Sequence, residues 1–433
     1  MIVFISDTHF EDGSAGEHNL PPEAFRIFFE DMVWHIEHRG IEEVTLVLLG
    51  DIFDLLRSEY WLDPSLPDEG KPWAIPLPDA ASLGVHAGAV LDGILRKNAA
   101  ALAAFREGVE TLRQACAKVT VVFVPGNHDR LVNHSEPLRE QVRAALSVKG
   151  SGRFRNFFED RDYGVHARHG HEFDIHNFAN VGSFDEADYD AVPIGDPMTT
   201  EFLTRIPVLV EAMADKHGLS PTEVDIRKLK RNFQDIENVR PLSATIDWLL
   251  YQVQIQPELE AAIEDAVDEA VRYFKSLPFV KAWIERHDSW RNPWDEADQL
   301  QLAFWALERF KILSARELMP IVERVMNLSL GRDPLIDAAA ELFSHLDPSI
   351  CFVVLGHTHA AQQSAVALET IGGHQVRRMY LNSGTWRPRH RRCYVGNGFV
   401  DWKEMAYCII YSADERRHSQ GPTFETWSGT LAD

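Results

Sequence analysis

Three short runs, Met1 to Ser6, Val44 to Leu49 and Val119 to Val124, are apolar at nearly every position rather than at alternate ones. That pattern predicts strands covered on both faces. Between the first two, Phe25, Phe28, Phe29, Met32 and Ile36 recur at i, i+3, i+4, i+7 and i+11, the stripe of a helix from about Pro22 to Glu37. Pro21 and Pro22 open it and Gly40 closes it. A second helical stretch, roughly Ile94 to Ala117, precedes the third strand. The alternation β-α-β-α-β predicts a layered α/β architecture.

The stretch Tyr60 to Pro78 carries Pro64, Pro67, Pro72, Pro76 and Pro78 and predicts a surface loop rather than a regular element. From about Glu172 to Pro348 strand signals nearly vanish. Helical stretches succeed one another there, at Ala244 to Val253, Glu258 to Phe274, Ala297 to Ile312, Ala315 to Leu328 and Leu335 to Leu346. Strand character returns at Cys351 to Leu355, Met379 to Asn382 and Tyr407 to Tyr411, which reads as completion of the same sheet. The chain is thus expected to hold one core, residues 1–171 and 349–433, interrupted by a helical insertion at 172–348. It shows no internal repeat, heptad run or low-complexity tail.

With 433 residues, 45% apolar and 25% charged, the chain has material for two or three domains of roughly 100–200 residues, or for one large domain with an insertion. Lys and Arg number 43 against 66 Asp and Glu, and the net charge of -23 repels nucleic acid phosphates and anionic lipid at long range. No apolar run approaches the ~20 residues of a bilayer span. The N-terminal MIVFISDTHF has neither a basic n-region nor a small-residue cleavage site, so a cytoplasmic protein is the expectation. Cys116, Cys351, Cys393 and Cys408 form no C-x-x-C pair, and the first two lie in or beside apolar stretches typical of buried thiols. Disulfides and a cysteine zinc site are not expected.

The strong strands each end in a burst of residues able to ligate a metal. Ser6-Asp7-Thr8-His9 follows the first, Gly50-Asp51-Ile52-Phe53-Asp54 the second and Gly126-Asn127-His128-Asp129 the third. Later come Arg168-His169-Gly170-His171 and Gly356-His357-Thr358-His359. In an open α/β sheet the carboxyl ends of strands form the ligand crevice, so these tips are expected to converge. The donors are oxygen and nitrogen only, which suits Mn, Fe, Zn, Ni or Co, and the lack of thiolate argues against a purely structural zinc site.

In order, the bursts read D-x-H, G-D, G-N-H-D, a lone His and G-H-x-H. This resembles the calcineurin-like metallophosphoesterases over roughly Met1 to His171 and Cys351 to Tyr411. Each motif is weak singly, and the ordered set after predicted strands is specific. The resemblance implies an α/β fold, a four-layer α-β-β-α sandwich, around two transition metal ions. It assigns Asp7, His9 and His359 to one ion and Asn127, His169 and His357 to the other, with Asp51 as the bridge. It further implies hydrolysis of a phosphate monoester or diester by a hydroxide bridging the ions, with His128 protonating the leaving alkoxide or steadying the developing charge. A phosphate ester is the implied partner, and the insertion would shape its access.

Several alternatives stand beside this. His169 and His171 share one H-G-H turn; the family ligand precedes the glycine, which favours His169 and leaves His171 behind it or facing substrate. Asp54 and Asp129 either hold ligating or catalytic imidazoles or cap the helices that follow. The basic run Asn382 to Arg392 is a solvated loop paired with the acidic insertion, the reading favoured here, or a substrate-anion contact. Trp248, Trp283, Trp290, Trp294 and Trp305 are expected in the core. A non-catalytic protein-binding scaffold of the same fold is one rival function, against which the presence of His128 and every ligand type counts. A nuclease is the other, against which the charge and the lack of a basic stripe count.

Overall fold

In the computed structural model, which describes residues 1–16, 18, 20–74, 80–219, 231–232, 234–240, 248, 251, 260–288, 334–395, 398–415 and 423–431, the three apolar runs form strands β1 (Ile2–Ile5), β2 (Glu43–Leu49) and β3 (Lys118–Val124). They pair in parallel in the order β3-β2-β1. Helix α1 (Pro22–Arg39) links the first two, its stripe of Phe25, Phe28, Phe29, Met32 and Ile36 buried, with Pro21 at its entry and Gly40 in the left-handed conformation at its exit. The stretch read as one helix from Ile94 to Ala117 is two, α2 (Ala80–Lys97) and α3 (Ala99–Ala115). They meet at Asn98, whose side-chain amide donates to Ile94 O (2.9 Å) and Glu11 O (2.8 Å). A short amide competing for helix carbonyls marks a break that apolar periodicity alone cannot show. As far as residue 74, the proline-rich loop holds only single 3-10 turns at Glu59–Leu62 and Asp68–Gly70.

After α4 (Glu136–Leu146) come the short strands β4 (Phe158–Asp160) and β5 (Val165–Ala167). The described part of 172–348 is mainly helical, with α5 (Arg205–Lys216), α6 (Glu260–Ser276), α7 (Pro278–His287) and α8 (Pro334–His345), and contributes a two-residue strand, β6 (Val239–Arg240). The expected helices at Ala297 to Ile312 and Ala315 to Leu328, most of Ala244 to Val253, and Trp290, Trp294 and Trp305 lie outside the described residues. Trp248 and Trp283 are buried.

The returning strands complete two sheets, where one was read. β7 (Phe352–Leu355), β8 (Gln362–Ile371) and β9 (His374–Asn382) join β4 and β5 in the order β4-β5-β7-β9-β8. β10 (Pro388–Arg392), β11 (Phe399–Ile410) and β12 (Phe424–Leu431) join the first sheet, where β11 runs antiparallel to β1 and β6 pairs with β10. Because side chains alternate along a strand, Ile2 and Phe4 of β1 face Val165, Phe352, Val354 and Leu381 of the second sheet, while Val3 and Ile5 face α1 and α3. The outer face of the second sheet, Val353, Leu355 and Tyr380, is covered by Leu335, Ala339 and Leu342 of α8. The result is a mixed α/β sandwich of two facing sheets with helices outside both. Covering on both faces is why the strands read as unbroken apolar runs. α8, counted with the insertion by sequence, therefore packs as a layer of the core. Helices α6 and α7 bury Ile263, Val267, Val271 and Val280 into the same apolar cluster as α1.

The four cysteines are free. Cys116 and Cys351, expected inside, are partly exposed because they stand at the end of α3 and just before β7, and Cys408 is buried. Among the described residues no helix is long and apolar enough to cross a membrane.

One buried imidazole of the second sheet carries a pH signature. His166 on β5 accepts from Arg168 Nε at its Nε2 (3.0 Å) and donates from Nδ1 to Glu159 Oε2 (3.1 Å), a neutral tautomer. Burial, reinforced by the Arg168 guanidinium, pushes it down to about 4. An unfolded chain takes up this proton near ~6.5, so between the two values the unfolded state holds more protons and stability rises with pH. The contribution is full above about 6.5, declines as pH falls and is gone below about 4, a change on the order of 3 kcal/mol. Urea midpoints measured from pH 7 to 4.5 are expected to fall less steeply for His166→Gln than for the unsubstituted chain. Parallel slopes would refute this.

Candidate metal centre

The segments that follow β1, β2, β3, β5 and β7 are laced together by backbone hydrogen bonds just beyond the strands. Asp7 N–H donates to Gly50 O (3.0 Å), His9 N–H to Asp51 O (2.9 Å) and Gly356 N–H to His169 O (2.8 Å). Asn382, at the end of β9, donates its amide to Gly356 O (2.8 Å) and Thr358 Oγ1 (3.1 Å). The lacing holds a costly backbone. Asp7, His9, Asp51, His357 and His359 have φ of 52°, 44°, 52°, 67° and 57°, in the left-handed region that side chains disfavour by about 1–3 kcal/mol each. Among the described residues the only other such non-glycine residue is Ser147, which ends α4. Glycine is required beside them. A Cβ on Gly126 would overlap the Asp51 carboxylate, and Gly50, itself at φ 83°, would run into the His169 ring.

Three groups of donor atoms result; one, His9, Asp54 and His128, is closed by hydrogen bonds among its own members, and the other two form two sets. In the first, Asp7, His9 and His359 converge, with His359 Nε2 3.2 Å from Asp7 Oδ1 and 3.1 Å from His9 Nε2. In the second, Asp51, His169 and His357 converge, with His169 Nε2 3.0 Å from Asp51 Oδ2. Asp51 stands between the sets, since the same Oδ2 is 3.6 Å from His9 Nε2. Asp7, His9, Asp51, His169 and His359 are buried, and His357 is nearly so. Burial opposes ionisation of Asp7 and Asp51, yet the surrounding imidazoles hold both carboxyls below the usual range. Burial likewise opposes charge on His169, and the Asp51 carboxylate overrides it, lifting this imidazole to about 10. The cluster demands positive charge at its centre.

Asn127 points into the second set's surroundings, its Nδ2 donating to Asn177 Oδ1 (3.1 Å). His171 belongs to neither donor set, though its ring lies 5.4 Å from that of His169 and 6.5 Å from that of His357, and both its nitrogens are buried with no hydrogen-bond partner among the described residues. It is buried between His169 and the rings of Phe178 and Tyr189, and burial pushes it down to about 3. Of the two imidazoles in the H-G-H turn, His169 is the one that faces Asp51, while His171 Nδ1 lies 3.5 Å from Glu172 Oε2.

His128 packs edge-on against His9, ring centroids 4.7 Å apart, and its backbone N–H donates to Asp51 Oδ1 (2.9 Å). Its Nδ1 donates to Asp54 Oδ1 (2.7 Å), while Asp54 Oδ2 accepts from His9 Nδ1 (3.0 Å). Asp54 therefore holds two imidazoles, and it also accepts from Arg57 N (3.0 Å). Asp129 holds none. It takes Gly126 N (2.6 Å) and Ile52 N (2.8 Å), pinning the loop that carries Asn127 and His128 to the one that carries Asp51.

The basic run is not a solvated loop. Trp386 stacks on Phe25 (5.1 Å) in the core, Arg389 pairs with Glu404 (2.6 Å), and Arg387, 1% exposed, donates to Glu11 Oε1 (3.0 Å) and Asn238 Oδ1 (2.8 Å). Only Arg391 and Arg392 reach solvent. Arg387 also lies 3.6 Å from Asp54 Oδ2, so its anion is a protein carboxylate rather than a substrate. Sequence reasoning missed Glu11, Asp174 and Asn177 as neighbours of the site, and weighed Arg387 only within the basic run. The available signal was position alone: Glu11 two residues beyond His9, and Asp174 and Asn177 just past the H-G-H turn.

The buried His and Asp groupings could hold a metal ion. Asn127 Oδ1 is buried and accepts no hydrogen bond among the described residues, a costly state unless a cation takes its lone pair. With His9 Nδ1 committed to Asp54, the Nε2 atoms of His9 and His359 face each other, an arrangement that a shared cation explains. Oxygen and imidazole donors suit Mn, Fe, Zn, Ni or Co. In comparisons with protein-family models, curated proteins and solved structures, the chain has no match.

Proposed function

We propose that this chain is a two-metal phosphoesterase of the calcineurin-like type, hydrolysing a phosphate monoester or diester. The observation that carries the reading is the pair of adjoining donor sets, Asp7/His9/His359 and Asp51/His169/His357, with the Asp51 carboxylate between them. The order helix, sheet, sheet, helix is in keeping with the four-layer sandwich of that family. A bound pair of transition metal ions would supply charge to the attacking and leaving oxygens and bring the pKa of a water toward ~7. Asp51, with oxygens near both sets, would hold the ions together. Asn127 would present Oδ1 to the second. Asp54 accepts a hydrogen bond from His128 Nδ1–H and would stabilise the imidazolium, whose second proton, taken up from solvent at Nε2, is the one given to the leaving oxygen. A net charge of -23 disfavours a long polyanion and favours an ester met at the centre itself.

The test is metal content and turnover of Mn²⁺-reconstituted protein on bis-p-nitrophenyl phosphate and p-nitrophenyl phosphate. About two ions per chain and turnover of at least one ester are expected, and the ratio of rates separates diesterase from monoesterase. No bound ion sinks the metal centre. Full loading without turnover of these esters, a phosphopeptide or an oligonucleotide would favour the scaffold, and cleavage of the oligonucleotide alone would favour the nuclease.

A further inference from the structure

We propose that Asp174 and Asn177 are positioning residues for one of the two ions, fixing the ligating faces of His357 and Asn127 together. The second donor set is then assembled by the loop that opens the insertion. This rests on the metal-centre reading above.

The chain of contacts is continuous. Asp174 Oδ2 lies 3.0 Å from His357 Nε2 and accepts from Asn177 Nδ2 at 2.8 Å. A carboxylate only accepts, so His357 carries its proton on Nε2, and Nδ1 keeps the lone pair a cation requires. Asn177 Oδ1 accepts from Asn127 Nδ2 (3.1 Å). That bond decides which end of the Asn127 amide faces inward; turned over, Asn127 would offer N–H donors to a cation instead of an oxygen. Both ligands are thereby oriented through one path, Asn127–Asn177–Asp174–His357. The loop is held in turn, because Asp174 Oδ1 accepts from His176 N (2.9 Å), and Gly195 leaves the space that Asn177 fills: a Cβ there would lie 2.6 Å from Asn177 Oδ1.

Other holders serve the rest of the centre. His169 donates Nδ1–H to Leu49 O (2.8 Å), and His9 is held by Asp54 (3.0 Å). Loss of Asp174 or Asn177 therefore disturbs two ligands of one ion and none of the Asp7/His9/His359 set. Removing such an outer partner typically weakens metal affinity by about 10–100-fold.

The experiment is a Mn²⁺ titration of the full chain by calorimetry, with metal content after gel filtration and electron paramagnetic resonance of the loaded protein. The unsubstituted chain is expected to take about two ions with the signature of a spin-coupled pair. Asp174→Ala and Asn177→Ala are expected to keep one ion at unchanged affinity, bind the other about 10–100-fold more weakly, and show the six-line signal of an isolated ion. Asp174→Asn, which keeps the shape and loses the charge, decides the same question if the alanine variant does not fold. Two ions at unchanged affinity in both variants, or equal weakening of both, overturns the assignment. A wild-type chain that holds no ion sinks the metal-centre reading itself, and this assignment with it.

Discussion

Replacing Asp51 by asparagine is expected to lower kcat on the better of the two nitrophenyl esters by on the order of 10³-fold or more. The carboxylate is 1% exposed and both its oxygens are engaged. Oδ1 accepts the His128 N–H at 2.9 Å, and Oδ2 faces His169 Nε2 at 3.0 Å and His9 Nε2 at 3.6 Å. An amide that keeps its oxygen on His128 turns its NH2 toward those two imidazoles, where a cation pair would need an anion. The substitution is nearly isosteric, so the fold is expected to survive while metal content falls. Metal analysis beside steady-state kinetics checks both halves. Activity retained within ~10-fold, with two ions still bound, would remove Asp51 from the role of bridge.

The contrast between Asp51 and its supports shows what the residues made legible in advance. Asp7, His9, Asp51, Asn127, His128, His357 and His359 stand out in the sequence because each lies just past an apolar run, whereas His169 follows a short strand with no such pattern and stands out only through its motif; the two facing sheets bring the Asp7/His9/His359 and Asp51/His169/His357 groups together. Asp54 and Asp129 were left with two roles open, and the geometry separates them: Asp54 takes imidazole protons, Asp129 takes backbone ones. Asp174, Asn177 and Glu11 are silent in the sequence because they carry no motif and key partners lie far away, as with Asp174 and His357, and Arg387 stands in a basic run whose partner, Glu11, the sequence does not show. The same limit applied to the sheets. β8 and β12 carry mixed polar and apolar residues with much of their surface exposed. β10 is a basic pentapeptide whose strand state comes from pairing with β11, not from any apolar pattern. α8 was assigned to the insertion because its stripe says only that it must be covered; that it covers the second sheet is a tertiary fact.

Arg387→Met is expected to destabilise the chain by about 3–5 kcal/mol, the cost of breaking a buried ion pair. The guanidinium is 1% exposed and sits among Glu11 and Asp54, both fully buried, and the amide oxygen of Asn238. Methionine fills a similar volume, so the cost is electrostatic. Glu11 keeps Arg57, at 3.4 Å, but loses the nearer guanidinium, and Asp54 loses the cation behind Oδ2. Asp54 is also the acceptor for His9 and His128, so a shift in its carboxylate moves an imidazole of the first donor set and the proposed acid together. Asn238 adds a further link, because it stands next to β6, the strand that returns from the insertion to pair with β10. Urea denaturation of Arg387→Met, Glu11→Gln and the double variant separates these terms. If the buried charge pair is the source of the cost, Glu11→Gln is expected to recover part of the loss in the Arg387→Met background, giving a coupling of at least ~1 kcal/mol. Additive losses would place the effect in packing instead, and would leave Arg387 as a filler of the core rather than the counter-ion on which the Asp54 dyad depends.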